Sequence, residues 1–236
     1  MELLRFILYK FAYLVIDFPE IKEIDINPFS IDEKRGFVID SKIILDKDYL
    51  TKNKKSVNQY SHLVISPYPK EYIKEIKLKN CKNILLRPIK PEDESMEAEM
   101  LTHFSKQTQR FRFFGPMKDI THEMLIRYTQ IDYDREMAII AEAEEKGKKR
   151  MFGVVRLINN PYDNSAEFAI AVADPYQDHG LGSIMMDYIL EIAKERGIKK
   201  VFAYFLKENE IMKYLFEIRG FNIFREEKVY RAEKGL

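Results

Sequence analysis

Residues 172–183 read Val172-Ala173-Asp174-Pro175-Tyr176-Gln177-Asp178-His179-Gly180-Leu181-Gly182-Ser183. An apolar strand ends here and an amphipathic helix begins. The glycines let backbone approach a ligand closely while the first amides of the helix point at it, an arrangement that suits a phosphate. The stretch is neither Gly-x-Gly-x-x-Gly nor Gly-x-x-x-x-Gly-Lys-Ser/Thr, because Asp187 and Tyr188 follow. A bare Gly-x-Gly also makes any tight strand-to-helix turn, so the surrounding sequence has to decide.

Working outward, Ala166 to Ala173 alternates Phe168, Ile170 and Val172 with Glu167, Ala169 and Ala171, the period of a strand. Leu181 to Arg196 is a helix capped by Gly197, and its stripe of Leu181, Ile184, Met185, Tyr188 and Ile192 reads as core. A strand Val201 to Phe205, a helix Asn209 to Arg219, and strands near Phe221 to Phe224 and Lys228 to Tyr230 complete the chain. Upstream, Lys77 to Arg87 has a hairpin pattern, and Pro91 to Ser105 and Thr121 to Ile131 read as helices. Strands at Glu136 to Ala143 and Met151 to Ile158 flank the charged turn Glu144 to Arg150. An antiparallel run thus gives way to strand, helix, strand, helix, strand.

The first 45 residues differ. Leu3 to Ile16 carries apolar residues at helical spacing until Pro19, Ile21 to Ile26 reads as a strand, Asn27-Pro28 as a turn, and Gly36 to Leu45 as a second strand. One helix and one hairpin bury little core. Residues 46–76 lack periodicity and read as a surface connector.

With 46% apolar and 33% charged residues and only 9 Gly and 9 Pro in 236, the chain is globular rather than disordered or low-complexity. A net charge of +1 gives no field for a nucleic-acid backbone. The single cysteine, Cys81, forms neither an internal disulfide nor a thiolate cage, which fits a reducing compartment. Glu2, Arg5 and Lys10 break the pattern of a signal peptide, and no stretch approaches the roughly 20 apolar residues of a membrane span. The expectation is a cytoplasmic protein with neither membrane nor nucleic acid as partner.

Gln177 to Gly182 fits Gln/Arg-x-x-Gly-x-Gly/Ala, and Asn209 and Gly220-Phe221 follow at the matching separation. In these features residues 77–231 resemble the GNAT superfamily of acetyl-CoA-dependent N-acetyltransferases. Tyr68-Pro69, Leu86-Arg87-Pro88-Ile89, Arg112-Phe113-Phe114 and Gln130 to Glu136 are similar to the prokaryotic protein lysine acetyltransferases within it. In that subgroup an NDP-forming acyl-CoA synthetase often precedes the transferase. Phe18-Pro19-Glu20-Ile21 and Glu23-Ile24-Asp25-Ile26-Asn27-Pro28 are similar to the end of its ATP-grasp lobe. Asp25 and Asn27 match magnesium-binding positions of ATP-grasp enzymes, but the 24 residues upstream leave no room for the rest of such a site, so the segment reads as a vestigial cap.

The resemblance implies an α/β chain: a truncated ATP-grasp-like segment at 1–50, a linker at 51–76, and at 77–236 a GNAT domain with a mixed, mostly antiparallel sheet flanked by helices. It implies acetyl-CoA as co-substrate and a protein lysine as acceptor, an acyl-CoA synthetase among the candidates. Gln177, Asp178, His179, Gly180, Leu181, Gly182 and Ser183 would hold the pyrophosphate. The amide of Val172 would face the developing oxyanion, and Asn209 would support the co-substrate.

A lysine amine with a reference pKa of about 10.4 is some three units too protonated at pH 7, which withholds roughly 4 to 5 kcal/mol, so a base must assist. Glu167 stands where the resembling enzymes place their catalytic glutamate, acting directly or through a water. His179 ranks below it, and His62, His103 and His122 have no metal-ligand spacing. Many GNAT enzymes carry a tyrosine general acid after the Asn, where this chain has Phe216; Tyr214 lies about 200° away around the helix, so no acid is assigned. Arg110, Arg112, Lys118 and Arg127 among Phe111, Phe113 and Phe114 read as packing beside a substrate rim. A small-amine acetyltransferase, a module that senses acyl-CoA without catalysis, and one part of a split acyl-CoA synthetase stay open as alternatives.

Overall fold

The computed structural model describes residues 2–32, 35–47, 66–78, 83–117, 119–160 and 162–236, in two units that divide after Pro67.

In the first unit, helix α1 (Glu2–Asp17) precedes strands β1 (Ile21–Ile26), β2 (Phe29–Ile31), β3 (Gly36–Val38) and β4 (Ser41–Leu45). Strands β1 and β4 pair antiparallel around an inner β2–β3 hairpin. The single strand expected over Gly36 to Leu45 is therefore two. Pro28 has no N–H to continue a ladder, and the chain crosses there instead, with the Ile39 amide donating to Pro28 O and the Asn27 amide to Asp40 O. No side chain of α1 is buried, and Asp25 and Asn27 are both exposed.

The second unit is an eight-stranded sheet of β5 (Lys74–Lys77), β6 (Asn83–Pro88), β7 (Glu136–Glu145), β8 (Lys148–Asn160), β9 (Ser165–Val172), β10 (Lys200–Leu206), β11 (Asn222–Arg225) and β12 (Val229–Gly235). Its order is β11-β12-β10-β9-β8-β7-β6-β5. The linker expected to reach residue 76 stops earlier, because β5 pairs with β6 and Tyr68 donates its hydroxyl to Pro88 O.

Strand β7 explains the layering. Met137, Ile139 and Ala141 enter one core with Met185, Ile189 and Ile192 of α5 (Leu181–Glu195). Ala138 and Ile140 enter a second with Met100 and Leu101 of α2 (Glu94–Thr102) and Leu125 of α4 (His122–Thr129). A strand covered on both faces reads as a continuous apolar run, as this one does. Between α2 and α4 lies α3 (Lys106–Phe113), and α6 (Glu210–Glu217) follows β10.

Every pairing in this sheet is antiparallel except β9 with β10, whose ends are joined through α5. That ladder is short: Lys200 to Phe202 align with Ser165 to Glu167, and beyond Glu167 the strands part. Within the described residues no helix is long and apolar enough to cross a membrane.

Candidate active site

The parting of β9 and β10 opens a cleft of about 530 Å³, lined from both faces of the sheet. Phe168 enters the core on the α5 side, with Ile170 and Val172 packed against it, while Ala171 enters the core on the α2 side. Strand alternation therefore puts Glu167 and Ala169 on the α2 side with Ala171. The Ala173 amide donates to Phe152 O of β8, so the same alternation turns the N–H and C=O groups of Ile170 and Val172 to the opposite edge, where β10 has peeled away. That edge is a row of backbone donors and acceptors available to an extended ligand.

At the end of β9 the loop reverses through Asp178 and Gly180, both left-handed with φ of 62° and 80°, and α5 starts at Leu181. The first amides of α5 have no partner within the helix. A Cβ placed on Gly182 would meet only Val172 Cγ2, at 3.7 Å, so the fold itself leaves that space open to a ligand. Gly153 of β8 is different. A Cβ there would lie 2.9 Å from Ala171 O and 3.3 Å from Met185 Sδ, so its bareness lets β8 seat both β9 and α5.

Glu167, Val172, Gln177, Asp178, Gly180, Gly182, Ser183 and Asn209 all line this one cleft. Leu181 does not: its side chain is in the core, leaving only its amide for the loop. His179 is exposed and does not line the cleft, and its Nδ1 meets Gln177 O. Asp178, in its left-handed conformation, serves the turn through its backbone. Asn209 is buried and caps α6 by accepting the Met212 amide at 3.1 Å. Arg219 donates to Ser183 Oγ at 2.5 Å and to Asp187 Oδ1 at 2.6 Å, which leaves the Ser183 hydroxyl its own proton to donate.

On the far side the wall is α3, a helix not singled out in the sequence. Ser105 caps it by accepting the Thr108 amide, and Asp174, at the end of β9, accepts both the Ser105 amide (3.0 Å) and the Thr108 hydroxyl (3.1 Å). Helical spacing then brings Thr108, Phe111 and Arg112 to the cleft on one face, with Tyr204 of β10 across from them. Phe216 is wholly buried against Phe168, Phe205 and Phe221, while Tyr214 is 61% exposed, so helix α6 offers the cleft no phenol at the position expected of a general acid.

Residues 100–221 match the acetyltransferase (GNAT) family, which is just over half of the chain. The chain belongs to that family. It is a GNAT N-acetyltransferase that uses acetyl-CoA, and the loop, free edge and cleft suit a long co-substrate with a diphosphate at one end. Among its relatives, Acetyltransferase PA5475 of Pseudomonas aeruginosa is 29% identical over 144 residues, 61% of this chain and 77% of that one. The GNAT domain of PAT from S. lividans superposes with a TM-score of 0.65 at 26% identity, over 72% of this chain and all of that one. Spermidine N-acetyltransferase from Vibrio cholerae, solved with CoA and spermine, shares the fold at 21% identity, with a TM-score of 0.52 over 64% of this chain and 95% of that one. Residues 1–45 match an ATP-grasp domain.

Proposed function

We propose that this GNAT enzyme transfers acetyl from acetyl-CoA to the side-chain amine of lysine in a protein, with Glu167 taking the amine proton. The observation that carries the reading is the placement of Glu167 at the last paired position of β9, where the cleft begins, on the strand that ends in the phosphate loop. The protein-lysine half is supported by the motifs shared with prokaryotic lysine acetyltransferases, among them Arg112-Phe113-Phe114, of which Arg112 and Phe114 border the cleft.

The free edge of β9 pairs with the amides of the pantetheine arm, and the amides at the start of α5, with the Ser183 hydroxyl, hold the pyrophosphate. Gln177, Asp178, His179, Gly180 and Gly182 shape that turn, and Asn209 fixes the helix bordering the arm. The Val172 amide faces the carbonyl oxygen as negative charge gathers on it. The amine nitrogen bonds to the carbonyl carbon as its proton passes to Glu167 directly or through a water, and the carbon–sulfur bond breaks to release CoA as thiolate. With Phe216 in place of a phenol, the thiolate departs without a donor from α6, which a thiol of reference pKa about 8.5 tolerates. Protons then return to solvent from Glu167 and to the thiolate from solvent. The test is incubation of the full chain with labelled acetyl-CoA and a panel of lysine-bearing proteins, including acyl-CoA synthetases, beside small amines, with mass mapping of acetylated sites. Label on lysine side chains supports the reading, and label on small amines alone refutes it.

A further inference from the structure

We propose that Arg112 recognises the acceptor, and that the acceptor carries a carboxylate that reaches Arg112 when its amine is at Glu167. This rests on the reading of the Glu167 cleft as the transfer site. Arg112 borders the cleft with Glu167, Phe111 and Phe114. Within the described residues its guanidinium makes no hydrogen bond and no ion pair, and its one close interaction is with the ring of neighbouring Phe113, 5.4 Å to the centroid. Five N–H donors in a half-buried wall are thus unspent. Arg156, on the same face of the sheet, is a contrast: it donates to Glu97 Oε1 at 2.6 Å and to Tyr128 O at 2.7 Å.

The groups acting electrostatically on Arg112 are Arg156, Tyr128, Glu97 and Glu167. Burial and the Arg156 charge push its pKa down from the ordinary guanidinium range, yet arginine stays charged at neutral pH. Glu97 pairs with Arg156 through Oε1 while its buried Oε2 has no hydrogen-bond partner, so Glu97 and Glu167 are the two carboxylates that act on Arg112. Once Glu167 accepts the amine proton it is neutral, and the cleft beside Arg112 has lost one of its two negative charges. A carboxylate on the acceptor restores the balance and fits the guanidinium fork with two parallel hydrogen bonds, which a carbonyl or hydroxyl does not. The helix that carries Arg112 is held in place, because Asp174 fixes the start of α3 and Arg112 lies one turn beyond Thr108 on the cleft face.

One chemistry has two sources here: an acidic residue flanking a protein lysine, or the α-carboxylate of a free amino acid. Two matched pairs separate them. One is a peptide whose single lysine is followed by Asp against the same peptide with Asn; the other is free lysine against cadaverine, its decarboxylated counterpart. For the wild type, kcat/KM is expected to favour the carboxylate member of at least one pair by tenfold or more, expressed in KM, and the pair that shows it names the source. In Arg112→Gln the ratio collapses toward one, and Arg112→Lys, which keeps charge but not the fork, falls between. Thermal melts establish that each variant is folded, and the wild-type ratio decides even if one is not. No preference in either pair, or a ratio unchanged in a folded Arg112→Gln, overturns the proposal. Preference for free lysine with no transfer to either peptide overturns the protein-lysine reading while upholding Arg112; transfer to none of the four amines overturns both.

Discussion

The side-chain amide of Gln177 donates to the backbone carbonyl of Val172 at 2.8 Å and to the Thr108 hydroxyl at 3.2 Å. One residue of the loop between β9 and α5 therefore ties together the end of β9 and helix α3. The tie fixes the Val172 peptide with its carbonyl satisfied and its amide turned to the cleft.

Gln177→Ala removes both bonds and lets the loop drift from the strand. Acetyl-CoA affinity measured by calorimetry should fall about tenfold, or about 1.4 kcal/mol, in line with the loss of one or two hydrogen bonds. Unchanged affinity would detach Gln177 from co-substrate binding.

Two glycines should respond in opposite ways. Gly182→Val meets little in the free protein, so its denaturation midpoint should stay near wild type while acetyl-CoA affinity falls at least tenfold. Gly153→Ala drives a methyl against the Ala171 carbonyl, a backbone atom that cannot turn aside, and should destabilise the fold by about 1 to 3 kcal/mol. Denaturant titration and calorimetry on both variants read the two effects separately.

Asp174 supplies a pH dependence. Its partial burial favours the protonated form, but hydrogen bonds from Ser105 and Thr108 outweigh that and hold the carboxyl below the usual aspartate range. A depressed folded-state pKa gives stability that is present above the unfolded value of about 3.9 and lost as pH falls through the folded value. Asp174→Asn should accordingly be less stable than wild type by about 1 kcal/mol at pH 7, with the gap closing below about pH 4. A gap of the same size at pH 3 and pH 7 would mean that the carboxylate charge plays no part.

Much of this architecture is legible in the residues. Glu136 to Ala143 reads as a strand, and the turn from Asp174 to Gly180 reads as the junction between a strand and a helix, as the structure has them. Other parts are hidden for identifiable reasons. Helix α3 has few apolar residues, and what fixes its start is Asp174, more than 60 residues away in sequence. Strand β5 has only Ile76 to signal it, flanked by charge. The break at Ile39-Asp40 depends on bonds back to Asn27 and Pro28. Arg112 was legible as a rim residue, but its unspent hydrogen-bonding capacity emerges only when every neighbour's partner is known. Gly153 gave no signal at all: it lies within an apolar strand, and its need for bareness comes from Ala171 and Met185 of two other elements.

If Glu167 removes the amine proton, Glu167→Gln, which keeps the shape and loses the basic oxygen, separates chemistry from binding. Acetyl-CoA should bind nearly as in wild type while turnover at pH 7 falls by the roughly 10² to 10⁴ expected for a lost general base. Part of that loss should return as pH rises, because more of the amine then arrives neutral. Turnover within a few-fold of wild type at pH 7, with acetyl-CoA binding intact, would show that Glu167 is not the base and leave it a rim residue.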